Sequence, residues 1–144
     1  MERRNKQIGK TKDVGWQFGL RKTLSLSQES VWDFMFSEQG LKIWLGELEQ
    51  ELEVKKHYKT KSGIDGLIRV FKPYFHIRMN WKKQNWDNLS TLQVRVMGDN
   101  KKATISFHQE KLLDNKQREE MKAYWNEKIT EIEKVLMDGK TTTR

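Results

Sequence analysis

Apolar positions along this chain fall into two kinds of run, one with the period of a strand and one with the period of a helix. Trp16, Phe18, Leu20, Leu24 and Leu26 share one parity, with Gln17, Arg21, Thr23 and Ser25 on the other, which predicts a strand buried on one face. Lys22 interrupts the apolar parity. Ser27 is placed to cap a helix, with Glu29 favourable in its first turn and Val31, Phe34 and Met35 at helical spacing. Ser37 and Gly40 end or break that helix. Leu41, Ile43, Trp44 and Leu45 make a further short apolar turn, closed by Gly46.

Leu52, Val54 and Tyr58 mark a second strand, and Lys61-Ser62-Gly63 and Asp65-Gly66 read as two tight turns before a strand over 67–72. Pro73 cannot donate to a ladder and fits a connection. Phe75, Ile77, Met79 and Trp81 then alternate with His76, Arg78 and Asn80. A polar loop over 82–88 contains Trp86. Leu92, Val94 and Val96 form another alternating run. Gly98-Asp99-Asn100 turns the chain into Ala103, Ile105 and Phe107, with Gln109 on the same inward parity.

Asp114 carries a helix-start signal, and Met121, Trp125, Ile129, Ile132 and Leu136 form one continuous helical stripe. Gly139 is a candidate stop. The order is strand, short helices, hairpin-linked strands and a long helix, with no βαβ alternation. That predicts an α+β domain with an antiparallel sheet, apolar on one face. The terminal stripe is the long cover available to it. The expected architecture is therefore a curved sheet gripping a C-terminal helix, with two short helices after the first strand. Residues 1–14 are expected to be a flexible basic tail, 15–139 a single domain and 140–144 a frayed end.

Composition adds limits. A chain of 144 residues can bury roughly two-thirds of its unfolded surface. Its apolar fraction is only 35%, but six Trp and six Phe compensate, since each aromatic buries about 150–250 Å². There is no Cys, hence no disulfide, thiolate ligand or thiol nucleophile. No apolar run approaches the roughly 20 residues of a membrane span. The basic start has no apolar stretch behind it, so a cytoplasmic location is expected. The formal charge of +8 suits an acidic partner, although the cations are mostly interleaved with Glu and Asp.

Candidate chemistry is sparse. His57, His76 and His108 are far apart in sequence and show no metal-ligand spacing, so no metal and no cofactor are expected. No nucleophile elbow surrounds any Ser, and the glycines sit singly rather than in a phosphate-cradling loop. Basic and aromatic residues mix at Tyr74, Trp81, Lys82, Lys83 and Trp86, but alternation sends Trp81 inward, which disfavours a nucleic-acid platform.

Several words of the sequence match a known family. They are Val31-Trp32, Gly40-Leu41 followed by Trp44-Leu45, Phe71-Lys72-Pro73, His76-Ile77-Arg78 with Trp81, and Val94-Arg95-Val96. The longest is Phe107-His108-Gln109-Glu110-Lys111-Leu112, followed by Arg118-Glu119-Glu120-Met121 and Tyr124-Trp125. Over roughly residues 16–137 the chain resembles the C-terminal domain of activators of the ninety-kilodalton heat-shock chaperone's ATPase, in the START-like superfamily. The resemblance implies a helix-grip (START/Bet v 1-like) fold, often with a hydrophobic ligand between sheet and helix. It also implies a chaperone partner and a stress-related role. Eukaryotic relatives carry a separate N-terminal domain that supplies much of the stimulation, and a 144-residue sequence is expected to act without it.

Two binding readings follow, neither enzymatic. An apolar small molecule would enter a cavity lined by Trp44, Phe71, Met79, Trp81, Gln109, Met121 and Trp125. An acidic protein surface, such as the chaperone's, would dock on Arg78, Lys82, Arg95 and His108. The alternative from another class is a polyketide-cyclase-like enzyme using the same cavity.

Overall fold

The computed structural model of the chain describes residues 10–11 and 15–142. Ten elements follow one another: β1 (Lys10–Thr11), β2 (Gly15–Leu24), α1 (Gln28–Met35), α2 (Glu38–Trp44), β3 (His57–Lys59), β4 (Asp65–Lys72), β5 (His76–Trp81), β6 (Ser90–Gly98), β7 (Ala103–Leu112) and α3 (Asn115–Thr142). The strands form one antiparallel seven-stranded sheet in the order β1-β2-β7-β6-β5-β4-β3. The sheet wraps α3, as the helix-grip reading requires.

The expected caps are present. Ser27 Oγ accepts from Ser30 N at 3.1 Å, and Asp114 Oδ1 accepts from Gln117 N at 2.8 Å. Met121, Trp125, Ile129 and Ile132 are buried against the sheet, with Leu136 half-buried at the end of the stripe. Phe18, Leu92, Val94, Ile105 and Phe107 come from the other side to meet them. The core is thus the contact between one helix stripe and one sheet face, capped at its end by α1 and α2.

Several local expectations are corrected. Ser37 does not simply end a helix: it caps α2, accepting from Gly40 N at 3.1 Å. Gly40 lies inside α2 because the chain packs so tightly there that a Cβ would sit 1.9 Å from Phe34 O. Leu52 and Val54 are not in a strand; pairing in this region is confined to β3 and a bridge from Leu48 to Thr60. Asp65-Gly66 opens β4 instead of turning, since Gly66 lets the backbone approach Asn80 of β5. Phe75 stands in the turn between β4 and β5 and is 67% exposed, outside the inward series it was expected to begin.

α3 runs past Gly139 to Thr142, which one Gly at a cost of about 1 kcal/mol does not prevent. Of the expected flexible tail, only β1 falls within the described residues; it pairs with Gly15 and Trp16.

Candidate functional site

The seven residues expected to line a cavity all belong to, or pack against, the one hydrophobic core between the sheet and the helices. Trp44, Met79, Trp81, Gln109, Met121 and Trp125 have no exposed surface, and Phe71 packs half-buried beside them. A chain of ring contacts joins the four aromatics. Trp81 meets Trp125 at 5.6 Å between centroids, and Trp125 stacks on Phe107 at 4.8 Å. Phe107 meets Trp44 at 6.1 Å, Trp44 meets Phe36 at 5.7 Å, and Phe36 meets Phe71 at 5.5 Å. Phe36, a link in this chain, was not singled out from the sequence because it lies between two short helices where no period is legible.

The buried polar groups of this region largely satisfy one another. Trp125 Nε1 donates to Gln109 Oε1 at 2.7 Å, and Gln109 Nε2 donates to Ser90 Oγ at 2.9 Å. Ser90 Oγ in turn donates to the Trp81 carbonyl. Tyr58 Oη donates to the Asn80 carbonyl at 2.6 Å, and burial, with a smaller contribution from Asp65, pushes its pKa far above the ordinary phenol value. Trp81 Nε1 is the exception: it is buried with no acceptor among the described residues. Trp86 folds back from its loop and packs edge-on against Trp81 at 5.3 Å.

No described helix packs on the opposite face of the sheet. Here the strand registers align side chains of one parity across the sheet. Lys72 pairs with His76, His76 with Arg95, Arg95 with Ser106, and Ser106 with Arg21. Lys72, Arg95 and Arg21 are exposed, and none has a carboxylate partner among the described residues. His76 has a pKa below the ordinary histidine value, first from desolvation and then from Arg95, Lys72 and Arg78.

Three of the expected partner-surface residues, Arg78, Arg95 and His108, lie on this outer face, and two of them are engaged. Arg78 donates to Glu110 at 3.1 Å, and His108 lies 2.8 Å from Gln17 Oε1 and 3.9 Å from Glu110. Lys82 stands apart, past the end of β5, with its Nζ on the Trp86 carbonyl at 2.8 Å. Lys72, His76 and Arg21 join the row without having been picked as contacts. The outward parity of His76 and Arg21 was readable; that of Lys72 depends on the bulge between Ile68 and Val70, and the alignment of all three needed the register.

Two clefts open along this face. One, of about 650 Å³, is lined by Gln28, Lys72, Tyr74, Phe75, His76, Arg95, Val96, Met97 and Gly98. The other, of about 540 Å³, is lined by Gly19, Leu20, Arg21, Gln93, Arg95, Met97, Ser106, Phe107 and His108. Arg95 and Met97 belong to both.

Residues 25–137 match the model of the family described as Activator of Hsp90 ATPase homolog 1-like protein. The chain belongs to that family. No curated protein sequence matches it as a relative. Among solved structures, DynU16 of the dynemicin biosynthetic locus superposes with a TM-score of 0.77 at 12% identity, over 85% of this chain and 48% of that one. The family member described here thus spans about half the length of DynU16. An Hsp90 activator from Plasmodium falciparum superposes at 0.71 with 20% identity, over 85% of this chain and 96% of its own. The Aha1 dimer from Colwellia psychrerythraea gives 0.61 at 14% identity, over 85% and 94% of the two chains. At these identities the likeness is one of fold. No described helix of this family member is long and apolar enough to cross a membrane.

Proposed function

We propose that this domain is a non-enzymatic docking module of the cytoplasm, which binds an acidic surface of a protein partner through the uncovered face of its sheet. The observation that carries this reading is the group of exposed cations, Arg21, Lys72 and Arg95, which have no carboxylate partner among the described residues and stand on a face that no described helix covers. Ordinary surface cations interleave with acids; these instead alternate with His76 and Ser106 along one row, so no neighbouring carboxylate offsets their mutual repulsion. Family membership supports a chaperone of the Hsp90 class as that partner, and a stress-related role goes with it.

The reading without catalysis is supported by the engagement of the buried polar groups. Gln109, Ser90 and Trp125 consume one another's hydrogen bonds under the helix, and on the outer face the carboxylate of Glu110 is held by Arg78. A general acid or base needs a proton within reach of a substrate, and these groups are already committed.

The test is calorimetric titration of the purified protein into an Hsp90-class chaperone at low and high salt. Binding that weakens steeply with salt is expected. No heat of binding at low salt would overturn the assignment.

A second reading has its own observation. The unpartnered Nε1 of Trp81 would suit an acceptor carried by an apolar small molecule between sheet and α3, near Met79, Met121 and Trp125. A buried N–H without a partner costs about 1–3 kcal/mol, which such a ligand would offset. Native mass spectrometry of freshly isolated protein checks it: an apolar adduct is expected, and a bare mass rejects it. The same experiment with added polyketide substrates, followed for product, addresses cyclase-type chemistry.

A further inference from the structure

We propose that the transverse row Lys72–His76–Arg95–Ser106–Arg21 is the seat of an extended acidic segment of the partner protein, lying across the strands with Arg95 at its centre. The inference rests on the docking reading above and specifies what docks. Five residues from five different strands, β4, β5, β6, β7 and β2, stand in successive register. With strands about 4.8 Å apart, the row is roughly 19 Å long. An extended peptide rises about 3.3 Å per residue, so about six residues would span it, with carboxylates two residues apart spaced about 7 Å. Lys72, Arg95 and Arg21 stand two strands, about 9.6 Å, apart, so alternate acids of one strand-like segment meet all three when the long Lys72 and Arg21 side chains lean about 3 Å toward Arg95.

The surface is shaped for such an occupant. The two clefts lie end to end along the row and share Arg95 and Met97. Gly19 opposite His108 keeps the floor of the second cleft low. One end of the groove is apolar: Phe75 is 67% exposed and Tyr74 40% exposed. That end is pinned in place. Gln28 Nε2 donates to the Tyr74 carbonyl and, at 2.9 Å, to the Val96 carbonyl, while Tyr74 Oη donates to Asp33 at 2.6 Å. Tyr74 is held at a φ of 69°, a conformation that a side chain other than Gly seldom adopts unless its surroundings impose it. Asp99, next along the chain from Gly98, is held within its own turn, where its carboxylate accepts from Lys101 N at 2.9 Å and Lys102 N at 3.0 Å.

The occupant is therefore an acidic peptide with an apolar residue at one end. Single-stranded nucleic acid fits less well. Between the cations the groove offers Ser106, Gln93 and Gly19, and its exposed rings stand at one end, so successive bases would have little to stack on.

The experiment uses the full chain and a fluorescein-labelled octapeptide of alternating Glu and Ser ending in Leu-Phe. Saturable binding is expected, with amide shifts in the NMR spectrum running across the strands at Lys72, His76, Arg95, Ser106 and Arg21. Arg95→Glu, with an unchanged melting temperature, should weaken binding at least 10-fold, and a peptide carrying Lys for Glu should recover affinity for that variant. Shifts running along one strand, or equal binding by Arg95→Glu, would overturn the proposal, as would tighter binding of an oligothymidylate of the same charge. If the intact chaperone binds wild type and Arg95→Glu equally, the row is wrong while docking stands. If the peptide binds and the chaperone does not, the row stands and the chaperone assignment falls.

Discussion

Trp125 Nε1 donates a 2.7 Å hydrogen bond to Gln109 Oε1, with both side chains wholly buried between α3 and the sheet. The contact ties the helix stripe to β7 by a directional bond as well as by packing. Gln109→Leu would leave the indole N–H without its acceptor, while Ser90 Oγ loses one donor and keeps its bond to the Trp81 carbonyl. A loss of about 1–3 kcal/mol in urea unfolding is expected, from one orphaned buried donor. A change below 1 kcal/mol would mean that the bond contributes little.

Gly66 admits the carbonyl of Asn80, and a Cβ there would stand 2.0 Å from that oxygen. Gly66→Ala must push β4 away from β5, and the oxygen it displaces is backbone, with no rotamer to yield. Destabilisation of at least about 2 kcal/mol is expected, in the range of overpacked cores. Thermal unfolding of the variant checks this, and an unchanged midpoint would show that the strands can separate freely.

Lys22 breaks the apolar parity of β2 and reaches Glu133 of α3 at 3.3 Å. Both side chains keep much of their exposure, so solvent screens the pair. Lys22→Met should therefore change stability by less than about 1 kcal/mol in either direction. A larger loss in denaturant titration would make the pair a structural clamp.

His76 faces Arg95 from β6, Lys72 from β4 and Arg78 on its own strand, and its folded pKa is lowered by desolvation and by these three cations. Because the folded value lies below the unfolded one, near 6.5, the native state resists protonation. The His76 contribution is thus fully present above about pH 6.5 and is lost as pH falls through the folded pKa. An acidic occupant reverses the local field and raises that pKa, so binding takes up a proton and strengthens as pH drops below neutrality. NMR titration of the ring should place its midpoint below that of a free histidine, then higher with the acidic octapeptide present. Equal midpoints with and without the peptide would separate His76 from the binding site.

Much of the fold was legible in the residues. Alternation from Leu92 to Val96 and from Ala103 to Gln109 named two strands, and the stripe from Met121 to Leu136 named the helix they bury. Ser27 and Asp114 marked where two helices begin. The burial of Trp81 and Trp125 follows from their alternating strand and helical stripe, whereas Trp44 sits in a short apolar cluster with no legible period, and its place against Phe107 came from the tertiary structure. Asp65-Gly66 misled because a Gly that permits close strand approach has the same composition as one that permits a turn. Phe75 misled because parity does not say where a strand stops.

The sequence by itself determined which side of each element is apolar and where helices start, because period and capping are local and involve neighbours within a turn or two. Only the tertiary structure decided which residues of different strands stand side by side. Register depends on hairpin geometry and on bulges such as those between Trp16 and Phe18 and between Ile68 and Val70, and a slip of one residue would move Arg95 to the other face. Lys72, His76 and Arg21, separated by up to 55 positions, therefore become neighbours on one row through pairing energies that no local pattern records.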